Sequence, residues 1–586
     1  MKPTNVNRRG RPLASLTATM GLCLGMASVV SAPAQSAEPA GDCAPRVAVS
    51  VTKGEQVTGL TVTGARSSTE PEGFTGEVLG VLKDGIGPDL DMVMIRLSSP
   101  EIDRVGGIWQ GMSGSPVYGE QGELIGAVAY GLAWGPTPVA GITPFEDMAR
   151  YLDAAPVEKV AVGARAARVI ASSTDVTAAQ AEEGFAPLPM PMGVSGVRAN
   201  RLEQATSKAK GHRWMPTSAY RMGAAAAPGD PTAAGPETIA AGGNLAASLS
   251  YGDITQAGIG TATSVCNGRV VGFGHPLAFL GSTTLTMHPA EALYIQEDRV
   301  APPFKVANLG APAGTITDDR LTGITGSFGA RPDTTGITSS VSYLDRERTG
   351  TSDVSVARAA ASTTFFEFVG NHDRVLDSIV AGSELLSWTI TGHDAAGEPF
   401  SLSVVDRYAS DFDISFESAW ELADFVWALS SIKGVTIDDV TMDSDVVDDN
   451  STWEVKRVEQ RRAGEWLTIN RRNPALARAG KELKVRAVLE SGSDTRAVPL
   501  SVPVPGKAAG QRARLSVMGG NVLWSEDGYP RSLDQAQEFV ENQVRNDQVV
   551  AELNAFGRRG MLRGTAEAPP QDRVVNGGKN VRVFVR

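Results

Sequence analysis

Between Arg46 and about Leu152 the chain alternates short apolar runs with glycine: VAVSVT, TGLTVTGA, TGEVLGVL, DMVMIRL and ELIGAVAYG. Runs of this kind, broken by turn residues about every ten positions, read as strands of a sandwich or barrel. AGITPFEDMARYL closes the unit with a short helix. A second glycine-rich β unit opens near Asn244 with LAASLSYGD, GIGTATSV, GRVVGFGHP, TTLTMHP and GTITDDRLTGITGSFG. Between them, PLPMPMG and AAAAPGDPTAAGPE mark an Ala/Pro/Gly-rich, partly ordered connector.

Beyond Thr349 strands continue as LLSWTITGHD and FSLSVVD. A helix is expected near Phe416–Leu429, where Phe416, Trp420, Ala423 and Trp427 fall at helical spacing; its tryptophan stripe reads as core. WEVKRVEQRR, ELKVRAVLES and RAVPLSVPVP alternate as half-buried strands do. The tail reads as a helix over LDQAQEFVENQVRNDQVVAEL and a last strand, VRVFVR. The expected organisation is mainly β: a signal segment 1–37, a β unit 44–155, the connector 156–238, and a second β unit 239–349. An α+β extension 350–445, a β-sandwich-like domain 450–520 and a small α/β tail 521–586 follow. The length, 586 residues, is enough for several domains with cores of ordinary size.

Lys2, Arg8, Arg9 and Arg11, the uncharged stretch Leu13 to Val30, and small residues at Ala32, Ala34, Ser36 and Ala37 form an export signal. No other apolar run is long enough to cross a bilayer, so the mature chain is expected to be secreted or held outside the cytoplasm at a bacterial-type envelope. Sixty-six acidic residues against fifty-four basic ones give a formal charge of -12 with no basic run beyond the N-terminus, which argues against a nucleic-acid partner. Cys23 lies in the signal, leaving Cys43 and Cys266 either to pair in an oxidising compartment or to stay as separate thiols. Neither HExxH, nor clustered Cys/His, nor a calcium loop appears, so no metal and no cofactor is expected; DDRLTG and SDVVDDNS read as solvated turns.

The densest glycine cluster is VGGIWQGMSGSPVYG, Val105 to Gly119. Glycine costs conformational entropy, so such a cluster belongs where backbone adopts unusual angles or something approaches closely. A tight turn between strands satisfies that; so does a loop presenting Ser113. A serine hydroxyl needs a base to become a nucleophile. Of the five histidines, His212, His288, His372 and His393 read as structural or solvated, whereas His275 follows two glycines and precedes a proline in GFGHP.

GGIWQGMSGSP and its continuation VYGEQGELIGAVAYG resemble the nucleophile loop and following hairpin of chymotrypsin-like serine proteases. Together with GIGTATSVCNGRVVGFGHP at 258–276 and GTITDDRLTGITGSFG at 314–329, they resemble the SpoIVB-type serine peptidase domain, in the chymotrypsin-like clan. The blocks come in swapped order, Ser113 before His275. The resemblance implies two β-barrel-like units of a permuted chymotrypsin-like protease, covering under half the chain. It also implies Ser113 as nucleophile, His275 as base, and the Gly111 and Ser113 amides as the oxyanion hole.

The triad acid stays open. The family's acidic position corresponds to Ser98, so the substitutes are Asp253, favoured for sharing a unit with His275, Asp91 and Asp103, or a Ser–His dyad oriented by a carbonyl. By analogy with chymotrypsin-like pockets, Gly107 and Ile108 line the specificity site and offer no buried charge, which points to an apolar or small residue at the cut. The connector is a candidate for self-cleavage. The expectation is thus an exported serine endopeptidase acting on proteins or peptides; the alternative, from another class, is a catalytically silent envelope scaffold on the same fold.

Overall fold

The computed structural model describes residues 47–48, 50–132, 135–150, 168, 171, 185–187, 192–208, 210–216, 219–298, 302–522, 529–557 and 560–586. The expected signal segment, residues 1–37, and Cys43 lie outside them. Six strands form the first barrel: β1 (Gln56–Thr61), β2 (Glu72–Gly87), β3 (Leu90–Ser98), β4 (Pro116–Tyr118), β5 (Leu124–Leu132) and β6 (Val139–Pro144). They pair antiparallel in the order β1-β2-β3-β6-β5-β4, and β4 returns to β1, which closes the sheet. Val78, Ile95, Trp109, Val117 and Ile142 fill its interior. Every residue of β5, LIGAVAYGL, is buried, which is why that strand reads as one apolar run instead of alternating.

Helix α1 (Pro100–Val105) delivers the chain to the glycine cluster. It starts where the Ser99 hydroxyl accepts the Ile102 amide at 3.1 Å with Pro100 in the first turn, and it stops at Gly106, whose φ of 81° is left-handed. Helix α2 (Phe145–Arg150) follows β6, and β7 (Phe185–Pro187) adds to β5. Within the stretch expected to be a connector, β8 (Met192–Val194) pairs with the second barrel, helix α3 (Ala199–Ser207) follows, and β9 (Ala219–Arg221) lies parallel to β8.

The second barrel uses β10 (Asn244–Gly252), β11 (Gln256–Cys266), β12 (Arg269–Gly272), β13 (Gly281–His288), β16 (Gly314–Arg320) and β17 (Gly323–Phe328). The order β10-β13-β16-β17-β12-β11, closed by β10–β11, is again antiparallel throughout. A separate hairpin of β14 (Ala290–Gln296) and β15 (Phe304–Leu309) sits between β13 and β16 in sequence. Two closed six-stranded antiparallel barrels are consistent with a chymotrypsin-like fold.

The far end of β10 also pairs with β19 (Arg346–Val354), extending the sheet through β18 (Thr335–Tyr343), β22 (Thr436–Val447), β20 (Gly382–His393) and β21 (Pro399–Ser410). Helix α4 (Ala360–Leu376) packs on β18 and β19 and carries α6 (Ala419–Ser430), which follows the one-turn α5 (Ile414–Glu417). Helix α4 was not foreseen: AASTTFFEFVGNHDRVL is buried on nearly all sides, so it lacks the polar stripe that marks an amphipathic helix.

The C-terminal residues form two facing sheets with a common core that includes Trp453, Val485, Leu500, Leu515, Leu553 and Val583. One sheet holds β23 (Trp453–Arg462), β24 (Glu465–Thr468), β26 (Glu482–Ser491), β27 (Asp494–Pro503) and β31 (Val575–Asn576). The other holds β25 (Ala475–Ala477), β28 (Arg512–Gly519), β29 (Val549–Gly557), β30 (Gly560–Glu567) and β32 (Gly578–Val585). The tail thus completes the sandwich. Its expected long helix is only Leu533–Glu541, here α7; the second half, VVAEL, is β29, because alternate side chains there face the shared core.

The two barrels dock through buried hydroxyls and backbone. Thr263 Oγ1 donates to Gly114 O at 2.7 Å, Thr143 Oγ1 to Gly274 O at 2.6 Å, and the Thr261 amide to Ser113 O at 2.8 Å. Thr263→Val leaves the Gly114 carbonyl buried without that donor, and urea unfolding is expected to show a loss of about 1–3 kcal/mol. An unchanged midpoint would mean that this bond does not hold the barrels together.

Candidate active site

Within the turn from Ile108 to Ser115, Met112 N–H donates to Trp109 O at 3.1 Å and Ser115 N–H to Met112 O at 3.0 Å; its other bonds reach outside. Ile108 N–H donates to Thr137 O at 3.0 Å, Gln110 N–H to Pro303 O at 2.7 Å, and Gly114 N–H to Val128 O at 2.7 Å. Lys305 N–H returns to Gln110 O at 2.9 Å, so β15 of the second barrel's hairpin holds the turn from outside. Among the described residues, neither the Gly111 nor the Ser113 amide has an acceptor. Gly111 and Gly114 both have φ near 95°, a region that disfavours side chains. At Gly114 a methyl would also lie 1.8 Å from Thr261 O, so no other residue fits there.

His275 arrives on a second strained turn. After β12, Phe273 takes a φ of 69° and Gly274 N–H closes onto Gly272 O at 2.9 Å, a γ-turn with a bulky residue at its left-handed centre. Thr143 of the first barrel ties this turn down. His275 Nδ1 lies 2.8 Å from Pro276 O, and its Nε2 lies 2.8 Å from Ser113 Oγ. A carbonyl only accepts, so Nδ1 carries the hydrogen and Nε2 presents a lone pair; the Ser113 hydroxyl therefore donates to Nε2. That is the tautomer a general base requires. Ser113 is 0% and His275 1% exposed, and burial pushes the imidazole pKa down to about 4 against the upward pull of the Pro276 carbonyl. The pair is neutral at ordinary pH.

None of the expected acids reaches this imidazole. Asp253, between β10 and β11, bonds Arg348 Nη2 at 2.5 Å across the sheet extension. Asp91 bonds Lys83 Nζ at 2.6 Å, and Asp103 is exposed on α1. Pro276 O takes the third place, the carbonyl-oriented arrangement among the alternatives. Gly107 and Ile108 are both buried: a methyl on Gly107 would lie 2.2 Å from the Thr137 nitrogen, and Ile108 belongs to the first barrel's core. Cys266 is half-buried and has no disulfide among the described residues; its expected pairing with Cys43 lies outside them.

Two buried groups beside the site were not expected. Asp319 accepts the Leu277, Ala278 and Leu280 amides at 2.7, 2.9 and 3.1 Å, and so pins the loop that supplies Pro276. Burial pushes its carboxyl up while those amides pull it down. The DDRLTG stretch, expected as a solvated turn, is partly buried, because a register shift between Ile316 and Asp318 turns Asp319 inward. Lys305 is buried with its Cβ against Gly111, donates from Nζ to Asn244 Oδ1 at 2.7 Å, and burial pushes its ammonium down to about 7. Its one visible signal is a lysine between the apolar Phe304 and Val306 of FKVANL.

A second pair shows what geometry alone does not decide. His288 Nε2 lies 2.8 Å from Ser248 Oγ and its Nδ1 2.9 Å from Gly310 O, equally buried. Ser248 lies within strand β10, whose amides serve the sheet, so only Ser113 sits in a turn with two amides left over. Comparison with known protein families, curated proteins and solved structures finds no match. The arrangement at Ser113 has the parts for acyl transfer: a hydroxyl, an acceptor nitrogen, and two unpaired donors beside them.

If His275 takes the serine proton, protonating it stops the reaction, so the labelling rate of Ser113 by a fluorophosphonate is expected to fall near pH 4 and not near the ordinary imidazole value of about 6.5. The same lowered value means folded stability is lost as pH falls through about 6.5 towards 4. An acid limb near 6.5 would contradict a buried neutral imidazole.

Proposed function

We propose that this chain is an exported serine endopeptidase of SpoIVB type, with the serine block placed before the histidine block. Ser113 Oγ attacks the scissile carbonyl while His275 Nε2 takes its proton. The Gly111 and Ser113 amides receive the charge on the carbonyl oxygen. His275 then returns the proton to the departing amine, and water hydrolyses the acyl-enzyme by the same route. Asp319, through the Leu277–Leu280 amides, acts as a positioning residue for the carbonyl that orients His275. Substrates are proteins or peptides outside the cytoplasm, in keeping with the export signal at residues 1–37.

The observation that carries this reading is the 2.8 Å Ser113–His275 hydrogen bond in the donor sense base catalysis needs, beside two amides without acceptors. Two observations favour a second reading, the silent scaffold: both side chains are closed off from solvent, and the Ser248–His288 pair has like geometry.

A fluorophosphonate probe separates them. Labelling is expected on the wild type and on Ser248→Ala, with the rate reduced on the order of 10⁴-fold or more in Ser113→Ala and His275→Ala. No labelling of well-folded protein, or labelling that persists in Ser113→Ala, would leave the scaffold.

A further inference from the structure

One edge of β5 carries three neighbours in succession. β4 covers it from Leu124 to Ala127. Next, the nucleophile turn covers Val128, whose carbonyl accepts the Gly114 amide at 2.7 Å and whose own amide donates to Ser115 O at 2.9 Å. Beyond that point β7 pairs antiparallel: Tyr130 with Pro187, Gly131 with Ala186, and Leu132 with Phe185. The other edge belongs to β6.

The direction of β7 matters. Its register runs Phe185 to Pro187 as β5 runs back from Leu132 to Tyr130, so its C-terminal end points along β5 towards Val128. At about 3.3 Å per strand residue, Tyr130 to Val128 is about 7 Å. The His275 turn closes on the same spot, since a methyl on Gly274 would meet Ala129 Cβ at 2.8 Å and Val128 O at 3.5 Å. An extended chain laid on Tyr130–Leu132 therefore aims its C-terminal end at Ser113. Proteins hold extended peptides on open sheet edges through main-chain hydrogen bonds. Pro187 has no amide hydrogen, so by the alternation of an antiparallel ladder the pair exchanging both bonds is Gly131–Ala186.

We propose that β7 is an intramolecular competitor: the chain's own Phe185–Ala186–Pro187 fills the slot on β5 that an extended peptide needs to reach Ser113, and a peptide binds only where β7 lifts off. The regulatory consequence rests on the peptidase reading of Ser113; the occupancy of the slot does not.

The test uses the full mature chain carrying Ser113→Ala, so that nothing is cleaved, and a fluorescently labelled peptide of the sequence EGFAPLP added in trans. With β7 intact the peptide is expected to bind weakly. With Phe185→Gly, Ala186→Ser and Pro187→Gly together, the affinity is expected to rise about tenfold or more, the factor by which the free slot was depopulated. Adding Gly131→Pro should abolish the gain. Equal affinity with and without the three substitutions, or no binding by either protein, overturns the proposal. Should the triple variant lose its cooperative unfolding transition, Ala186→Pro carries the same comparison by removing a single donor. In chains that keep Ser113, the fluorophosphonate rate should rise with the same substitutions. Silence of that probe in all chains refutes the peptidase reading alone, because the peptide titration still judges the slot.

Discussion

The hydrogen bond from the Thr261 amide to the Ser113 carbonyl is the constraint on which the site depends. It joins a strand of one barrel to a loop of the other, and beside it Thr261 Oγ1 donates to Gly111 O at 3.2 Å and Thr263 Oγ1 to Gly114 O at 2.7 Å. The Gly111, Ser113 and Gly114 carbonyls are thus satisfied from across the barrel boundary, while among the described residues the Gly111 and Ser113 amides have no acceptor. A single bond of this kind is worth about 1 kcal/mol net, yet stranding its buried partner costs about 1–3 kcal/mol. Separated barrels would therefore disfavour the turn itself as well as part the serine from the histidine, which lie 162 residues apart in the chain.

The immediate environment has a chemical consequence. A carbonyl in the third position fixes the imidazole tautomer, but unlike a carboxylate it carries no formal charge to offset the imidazolium that forms when Ser113 gives up its proton. Burial works in the same direction, which is why the His275 pKa sits near 4. The closed pair is a base held in the right orientation and kept weak.

How much of this was legible follows from which residues speak locally. The serine and histidine turns were visible because their backbones demand glycine at particular places, above all at Gly114, where Thr261 O leaves no room for a side chain. Barrel strands were visible from spacing. The third group was not, because a backbone carbonyl has no signature in the sequence and the candidate carboxylates lie elsewhere: Asp253 is taken by Arg348, Asp91 by Lys83, and Asp103 is exposed on α1. Asp319 was hidden by a register shift that reverses the inside and outside of β16. Helix α4 was hidden by being buried on nearly every side, polar Glu367, Asn371 and His372 included, so that no exposed polar stripe marks it, and β29 by following α7 so closely that both fitted one helical pattern.

The central claim is that His275 stands as a neutral base with its proton on Nδ1, so the most direct measurement is the ¹⁵N spectrum of histidine-labelled protein, with His275 assigned by difference against His275→Gln. The account predicts a protonated Nδ1 and a bare, hydrogen-bonded Nε2 from about pH 7 down to about pH 5, with the Nε2 resonance moving in Ser113→Ala. A proton on Nε2, or an imidazolium already present at about pH 6, would contradict it.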